Sequence, residues 1–252
     1  MNKYKMEEHI VSFIDILGSS QNMKKDPEGT LNIVHNAYEK AIETYKQLYG
    51  DLQNEIKVRI FSDNIVVFCK CDKLKVKTAF QVVVLLSAII QVNFLNSNIL
   101  VRGGIAKGDF FADDLMMWGN ALVEAYKIEN SISIYPRIVI SPNLIGEIGL
   151  FSTKDDKIKD FSKKYILQDN DNMCYINYIY ITNALKDPTI SRLMFLERAT
   201  EMIKNSIDNV KIEQKLCWHN NYLLRSIYEK NEEINDSQSE DGNYEKNERY
   251  CC

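Results

Sequence analysis

Histidine is scarce in this chain. The three present in 252 residues, His9, His35 and His219, share no ligand spacing. The six cysteines are Cys69, Cys71, Cys174, Cys217, Cys251 and Cys252, and they form no C-x-x-C pair. That pattern gives neither a zinc site nor a disulfide framework. Cys69-x-Cys71, at a strand end, reads as two ordinary thiols. No serine or cysteine has the neighbourhood of a catalytic triad. "GGIAKGD", Gly103 to Asp109, lacks the spacing of a phosphate-binding P-loop and reads as a tight β–β connection. The N-terminal "MNKYKMEEHIV" is charged and has no long apolar run, so it does not read as a secretory signal. The greasiest segment, "VVVLLSAIIQV" from Val82 to Val92, falls short of the ~20 apolar residues of a membrane span. It reads as a buried helix. A cytoplasmic location is the expectation from these absences.

Excess positive charge is also missing. The net charge is −4, which argues against a general nucleic-acid binder. Residues 229–252 hold eight acids and three bases, a net of −5, so the rest carries about +1. This tail has almost no apolar content and is expected to be disordered.

What is present is a core. Hydrophobic residues make up 45% of the chain. A short apolar run, His9 to Leu17, reads as a buried strand and is followed by a polar loop, "GSSQNMKKDPEG". Thr30 can cap a helix whose apolar positions run from Leu31 to Leu48. Residues 56–70 read as a hairpin. A helix opening at Asp72 or Lys73 runs to about Leu95. "NILVRGGIAKGDFF" reads as a strand, a glycine-rich turn and a second strand. A helix from Asn120 to Asn130, a strand "PRIVIS" and a second hairpin "KKYILQDNDNMCYINYIYI" follow. Pro188 to Asp208 and Lys211 to Tyr228 read as two further helices. The mix is α+β, with helices on one face of a largely antiparallel sheet. The expected divisions are 1–182, a helical hairpin at 183–228 and the tail at 229–252.

Two carboxylates stand in apolar surroundings. Asp15 sits inside "SFIDILGSS", and Asp63 at the tip of "VRIFSDNIVVF". Turn propensity alone accounts for Asp63 but not for Asp15. A buried carboxylate is costly without a partner, and a divalent metal offsets two at once. Without one, their repulsion would raise the pKa of one of them. Gly18, Ser19 and Ser20 follow directly, as a loop whose N–H groups could meet a phosphate.

"FIDILGSS", "VRIFSDNIVVF", "VRGGIAKGDFF" and "WGNALVEAYKIEN" stand in the order of four motifs of the class III nucleotidyl cyclases, and residues 8–182 resemble that family. The resemblance implies a ferredoxin-like βαββαβ core and a head-to-tail homodimer with active sites at the interface. It also implies two Mg²⁺ or Mn²⁺ ions, held by Asp15, Asp63 and the backbone carbonyl of Ile16. The phosphate loop falls on Leu17, Gly18, Ser19 and Ser20, and the base-selecting positions on Arg59 and Met116. Arg102 belongs to the third motif, facing the site or flanking its strand. The family's transition-state arginine falls on Lys127 and its asparagine on Val123, both departures. Val123 cannot orient a ribose, and Lys127 keeps the charge without the bidentate fork. The motifs are most similar to those of the pyrimidine cyclases of bacterial antiphage systems, called Pycsar. The implied reaction converts UTP or CTP to a 3′,5′-cyclic nucleotide and pyrophosphate, the product acting on a separate effector. A guanidinium at Arg59 suits pyrimidine carbonyl acceptors. The alternative is a cyclase-like module that binds a nucleotide without turning it over. Neither reading involves nucleic acid or direct membrane binding.

Overall fold

The computed structural model describes residues 4–50, 56–71, 76–183, 192–204 and 210–239. In chain order the elements are β1 (Glu7–Ile16), α1 (Ser19–Lys25), α2 (Pro27–Tyr49), β2 (Ile56–Phe61), β3 (Asn64–Lys70), α3 (Val76–Asn96), β4 (Val101–Ala112), β5 (Met117–Gly119) and α4 (Asn120–Ser131). Then come β6 (Ile138–Ile140), α5 (Pro142–Ile148), α6 (Asp156–Tyr165), β7 (Ile166–Gln168), β8 (Cys174–Ile176), a 3-10 turn (Tyr178–Asn183), α7 (Arg192–Lys204) and α8 (Val210–Ser239).

The strands form one sheet in the order β2-β3-β1-β4-β6-β8-β7, with β5 paired to the far end of β4. β1, β2, β3 and β4 pair antiparallel throughout. With α2 and α3 as crossovers, they make the expected ferredoxin-like βαββαβ core. β6 adds to β4 in parallel, and β8 and β7 continue antiparallel.

β1 is central because both its faces are apolar. Ile10 to Ile14 are all buried. Ser12 points to one face, where its hydroxyl meets Ser87 of α3 at 3.1 Å. α3 is apolar all round. It is long and apolar enough to cross a membrane, but 89% of its most apolar window is buried inside the protein. Arg198 of α7 donates to the carbonyls of Leu95 and Asn96, satisfying the end of α3.

The structure departs from the sequence expectations in several places. Residues 19–25 of the expected loop form α1, two turns too short to show a period in the sequence. Asp26, not Thr30, caps α2: its Oδ1 accepts from Gly29 N at 2.9 Å, with Pro27 in the first turn. "VRGGIAKGDFF" is one continuous strand rather than two strands about a turn. Its glycines make room for a helix: a Cβ on Gly104 would lie 2.3 Å from the Ala125 carbonyl of α4. α4 therefore packs on the face opposite α3, so helices cover both faces rather than one. The second hairpin is short, and its Tyr178 and Tyr180 lie in the 3-10 turn rather than in a strand. α8 runs to Ser239, so residues 229–239 are helical where disorder was expected. Residues 240–252, and the expected helix starts at Asp72, Lys73 and Pro188, lie outside the described residues.

α8 is fastened to the sheet by a buried arginine. Arg137, just before β6, is ion-paired to Asp169 (Nη1 to Oδ2, 2.5 Å) and to Asp171. Trp218 of α8 donates its ring N–H to Asp169 at 2.9 Å and stacks on Tyr135, ring centres 5.4 Å apart. His219 is buried against the Tyr178 hydroxyl, and burial pushes its pKa down to about 3.

Candidate active site

Asp15 is the last residue but one of β1. Its neighbours across the sheet are Asn64 of β3 and Arg102 of β4. Directly opposed residues share a face, so Asp15 and Arg102 project together. Arg102 Nε donates to Asp15 Oδ2 at 3.2 Å, and its Nη2 pairs with Glu129 at 2.6 Å. Its Nη1 reaches the Ser133 carbonyl at 3.5 Å. Arg102 therefore projects from β4 on the Asp15 face, paired with both Asp15 and Glu129.

Glu129 was not singled out from the sequence. It comes from α4 and is only 3% exposed. A signal was available: Ala121, Ala125, Ile128 and Glu129 make one stripe of α4, and a carboxylate on an apolar stripe needs a partner. Burial raises the pKa of Glu129, against the pull of Arg102, and the charge of Asp15 adds to the rise. Asp15 is raised in the same way, first by burial, with Arg102 opposing and Asp63 contributing. The raised carboxylate anticipated from the sequence is therefore Asp15, and burial outweighs repulsion as its cause.

Asp63 occupies the two-residue turn between β2 and β3, preceded by Ser62 at a positive φ of 54°. The turn is tied to the end of β1: Ile16 N donates to the Asp63 carbonyl at 3.1 Å. The Asp63 carboxylate accepts from Ser19 Oγ at 2.5 Å and from Asn64 Nδ2 at 3.1 Å. Burial pushes its pKa up, but the hydrogen bonds from Ser19, its own backbone and Ser62 outweigh that and hold it below the ordinary carboxylate value. Leu17 N donates to the Leu100 carbonyl at 2.9 Å, and Gly18 turns the chain with φ +78° into α1. Ser19 thus spends its hydroxyl on Asp63, and from the residues present it is a positioning group for that carboxylate.

Arg59 and Phe61 share the face of Asp15, through the register Arg59–Val66–Phe13. Arg59 Nη2 pairs with Asp114 at 3.1 Å, in the turn from β4 to β5. Asp113 Oδ1 holds that turn by accepting from the N–H groups of Leu115 and Met116. Arg59 of β2 and the turn that carries Met116, far apart in sequence, are so brought together. Lys127 is not brought to this cluster. It is exposed on α4, two residues and ~200° of helix from Glu129. Val123, 49% exposed, lies one turn before it.

The outward side of this region is apolar. Leu115 is 90% exposed and Trp118 68%, with Phe61, Met116 and Tyr126 also open. Phe13 joins them from beneath, its ring 6.3 Å from Phe61 and 5.5 Å from Tyr126.

No family model matches the sequence, and no curated protein matches it. Solved structures do. The adenylyl cyclase CyaB from P. aeruginosa has a TM-score of 0.49 at 16% identity, over 68% of this chain and 94% of that one. An adenylate cyclase from Trypanosoma brucei, in its monomeric state, has a TM-score of 0.49 at 13% identity, over 70% and 92%. The monomeric guanylyl cyclase domain of the RhoGC fusion protein from Blastocladiella emersonii has a TM-score of 0.44 at 16% identity, over 68% and 94%. The likeness to each is one of backbone.

No group of three His, Cys, Asp or Glu among the described residues could hold a metal by itself. Asp15 and Asp63 suit the other way of binding Mg²⁺ or Mn²⁺, in which one or two carboxylates share the ion with substrate phosphates. The charge of Asp63 adds to the rise of the Asp15 pKa, and an ion between them would relieve the penalty on Asp15.

Proposed function

We propose that this protein is a homodimeric nucleotidyl cyclase that converts a nucleoside triphosphate, UTP or CTP, to a 3′,5′-cyclic nucleotide and pyrophosphate. The observation that carries this reading is the convergence of Asp15, Asp63 and Arg102 where the end of β1 meets the β2–β3 turn. Asp15, Asp63 and the Ile16 carbonyl would hold two divalent ions. When bound, these would make the ribose 3′-hydroxyl a better nucleophile and neutralise charge on the phosphates. Ser19 keeps Asp63 ionised for that purpose. Leu17 and Gly18 hold the loop on which the phosphates rest. Arg102 offers its charge to the triphosphate from a position fixed by Glu129.

The base would lie between Arg59 and Met116. The Arg59–Asp114 pair is exposed, and such pairs contribute only ~0–1 kcal/mol, so a pyrimidine carbonyl can take the guanidinium from Asp114 at little cost. Lys127 faces outward and serves the active site of a second copy, where it stabilises charge developing on the phosphate. The apolar surface of Leu115, Trp118, Val123 and Tyr126 is the face on which that copy seats. In this reading the protein works in the cytoplasm. Its product acts on a separate effector in antiphage signalling.

The test is incubation with each of the four nucleoside triphosphates and Mn²⁺, with products resolved by mass. A cyclic pyrimidine nucleotide is expected; no cyclic product from any of them sinks the proposal. Val123 favours one other reading, a nucleotide-binding module without turnover, because it has no hydrogen-bonding group for a ribose. That reading expects thermal stabilisation by nucleotide alone. It is rejected by turnover that Asp63→Ala abolishes.

A further inference from the structure

α8 meets α3 across a small polar joint. Gln91 of α3 and His219 of α8 line one cavity, together with Tyr178 and apolar side chains that include Leu100 and Val101. The cavity volume is about 10 Å³, the room of one water. Both polar side chains are buried, Gln91 at 4% exposed and His219 at 1%. Among the described residues, neither Gln91 Oε1 nor His219 Nδ1 has a hydrogen-bond partner.

Hydrogen-bond accounting fixes where the histidine proton sits. The other ring nitrogen, Nε2, is bonded to the Tyr178 hydroxyl. Burial keeps both groups uncharged: it pushes the Tyr178 hydroxyl well above its ordinary pKa and the His219 ring down to about 3. A neutral imidazole carries one N–H and one bare acceptor. With the N–H at Nε2, the Tyr178 proton would have no acceptor among the described residues. The hydroxyl therefore donates to Nε2, and Nδ1 carries the ring proton.

The cavity is then walled by an unmatched donor, His219 Nδ1–H, and an unmatched acceptor, Gln91 Oε1. Each carries its full desolvation cost while unpaired. One molecule that both accepts and donates answers the two together. No charged side chain among the described residues lines the cavity, so the site suits a neutral molecule and not an ion.

We propose that the cavity between α3 and α8 is the site of a single water, which accepts from His219 Nδ1–H and donates to Gln91 Oε1. It ties the C-terminal helix to the core helix, as a second fastening beside the Arg137–Asp169 joint. This inference does not depend on the nucleotide reading above.

The test uses the full-length wild-type protein. A crystal structure at a resolution that shows ordered water should place one roughly 2.7–3.2 Å from both His219 Nδ1 and Gln91 Oε1. In solution, His219 Nδ1–H should give a rotating-frame Overhauser cross-peak to water. Long-range ¹H–¹⁵N spectra at neutral pH should show Nε2 as the unprotonated nitrogen of that ring. A direct bond from Nδ1 to Gln91 Oε1, with no water between, overturns the proposal. So does a ring proton on Nε2. Gln91→Leu removes the acceptor and should abolish the cross-peak; a cross-peak that persists at wild-type strength overturns the bridge. Should that variant fail to fold, the two wild-type measurements decide.

Discussion

The Ser19 hydroxyl donates to Asp63 Oδ2 at 2.5 Å across 44 residues of chain. The bond fastens α1 to the β2–β3 turn, and it favours the charged form of Asp63. Ser19→Ala should raise the Asp63 pKa, so the acid limb of the pH–rate profile moves to higher pH. Ser19→Thr should keep the wild-type profile. A hydrogen bond to a charged group contributes ~1.5–3 kcal/mol, and the partial exposure of Asp63 argues for the low end. An Ala profile that overlays wild type would remove Ser19 from the site.

The two aspartates should respond to pH with opposite signs. The folded pKa of Asp63 is lowered, so its contribution to stability is present above its unfolded pKa and lost as pH falls through the folded one. That of Asp15 is raised, so its contribution is present at low pH and lost as pH rises through the folded value. At neutral pH Asp63→Asn should therefore lower the melting temperature slightly, while Asp15→Asn leaves it equal or higher. Both should abolish turnover. Thermal melts at neutral and mildly acidic pH check the signs. If Asp63 only shaped its turn, Asn would serve as well and activity would stay near wild type.

Lys127 and Asp15 should complement across subunits. Lys127→Ala and Asp15→Asn proteins are each expected to be inactive. Mixed in equal amounts, they should recover about a quarter of wild-type activity, because half of random dimers are mixed and each has one complete site. Trp118→Glu should prevent the recovery and yield a monomer in sedimentation. Activity in the Lys127→Ala protein alone would mean that this lysine serves neither chain.

Asp169 and Asp171 both pair with the buried Arg137, but only Asp169 is itself largely buried and also receives Trp218. Asp169→Ala should lower stability to urea by ~3–5 kcal/mol, the cost of stranding a buried charge. Asp171→Ala, at the half-exposed partner, should cost much less. Equal losses would show that α8 does not depend on this joint.

The core was legible because β1, the hairpin and α3 repeat their apolar pattern over whole elements. Asp15 was legible for the same reason, as one carboxylate interrupting Ile14, Ile16 and Leu17. α1 was not, since seven polar residues carry no period. Gly103-Gly104 read as a turn because local chemistry favours one there. The close approach of α4, which explains Gly104, is a tertiary fact. Glu129 was not singled out, because only the sheet beneath α4 fixes which side of that helix faces inward.

The missing side chain of Gly104 has a mechanical consequence. Its space is taken by the Ala125 carbonyl and by Ile128, whose Cβ would stand 2.7 Å from an added methyl. α4 thus rests on β4 without slack. Glu129 stands on its inner side, and Val123 and Lys127 on its outer side. In the proposed dimer the helix would act as a rigid lever between two reaction centres. A shift of Arg102 and Glu129 on loading one site would be handed straight to the lysine serving the other. Gly104→Ala, by lifting the helix, would misalign both sites at once.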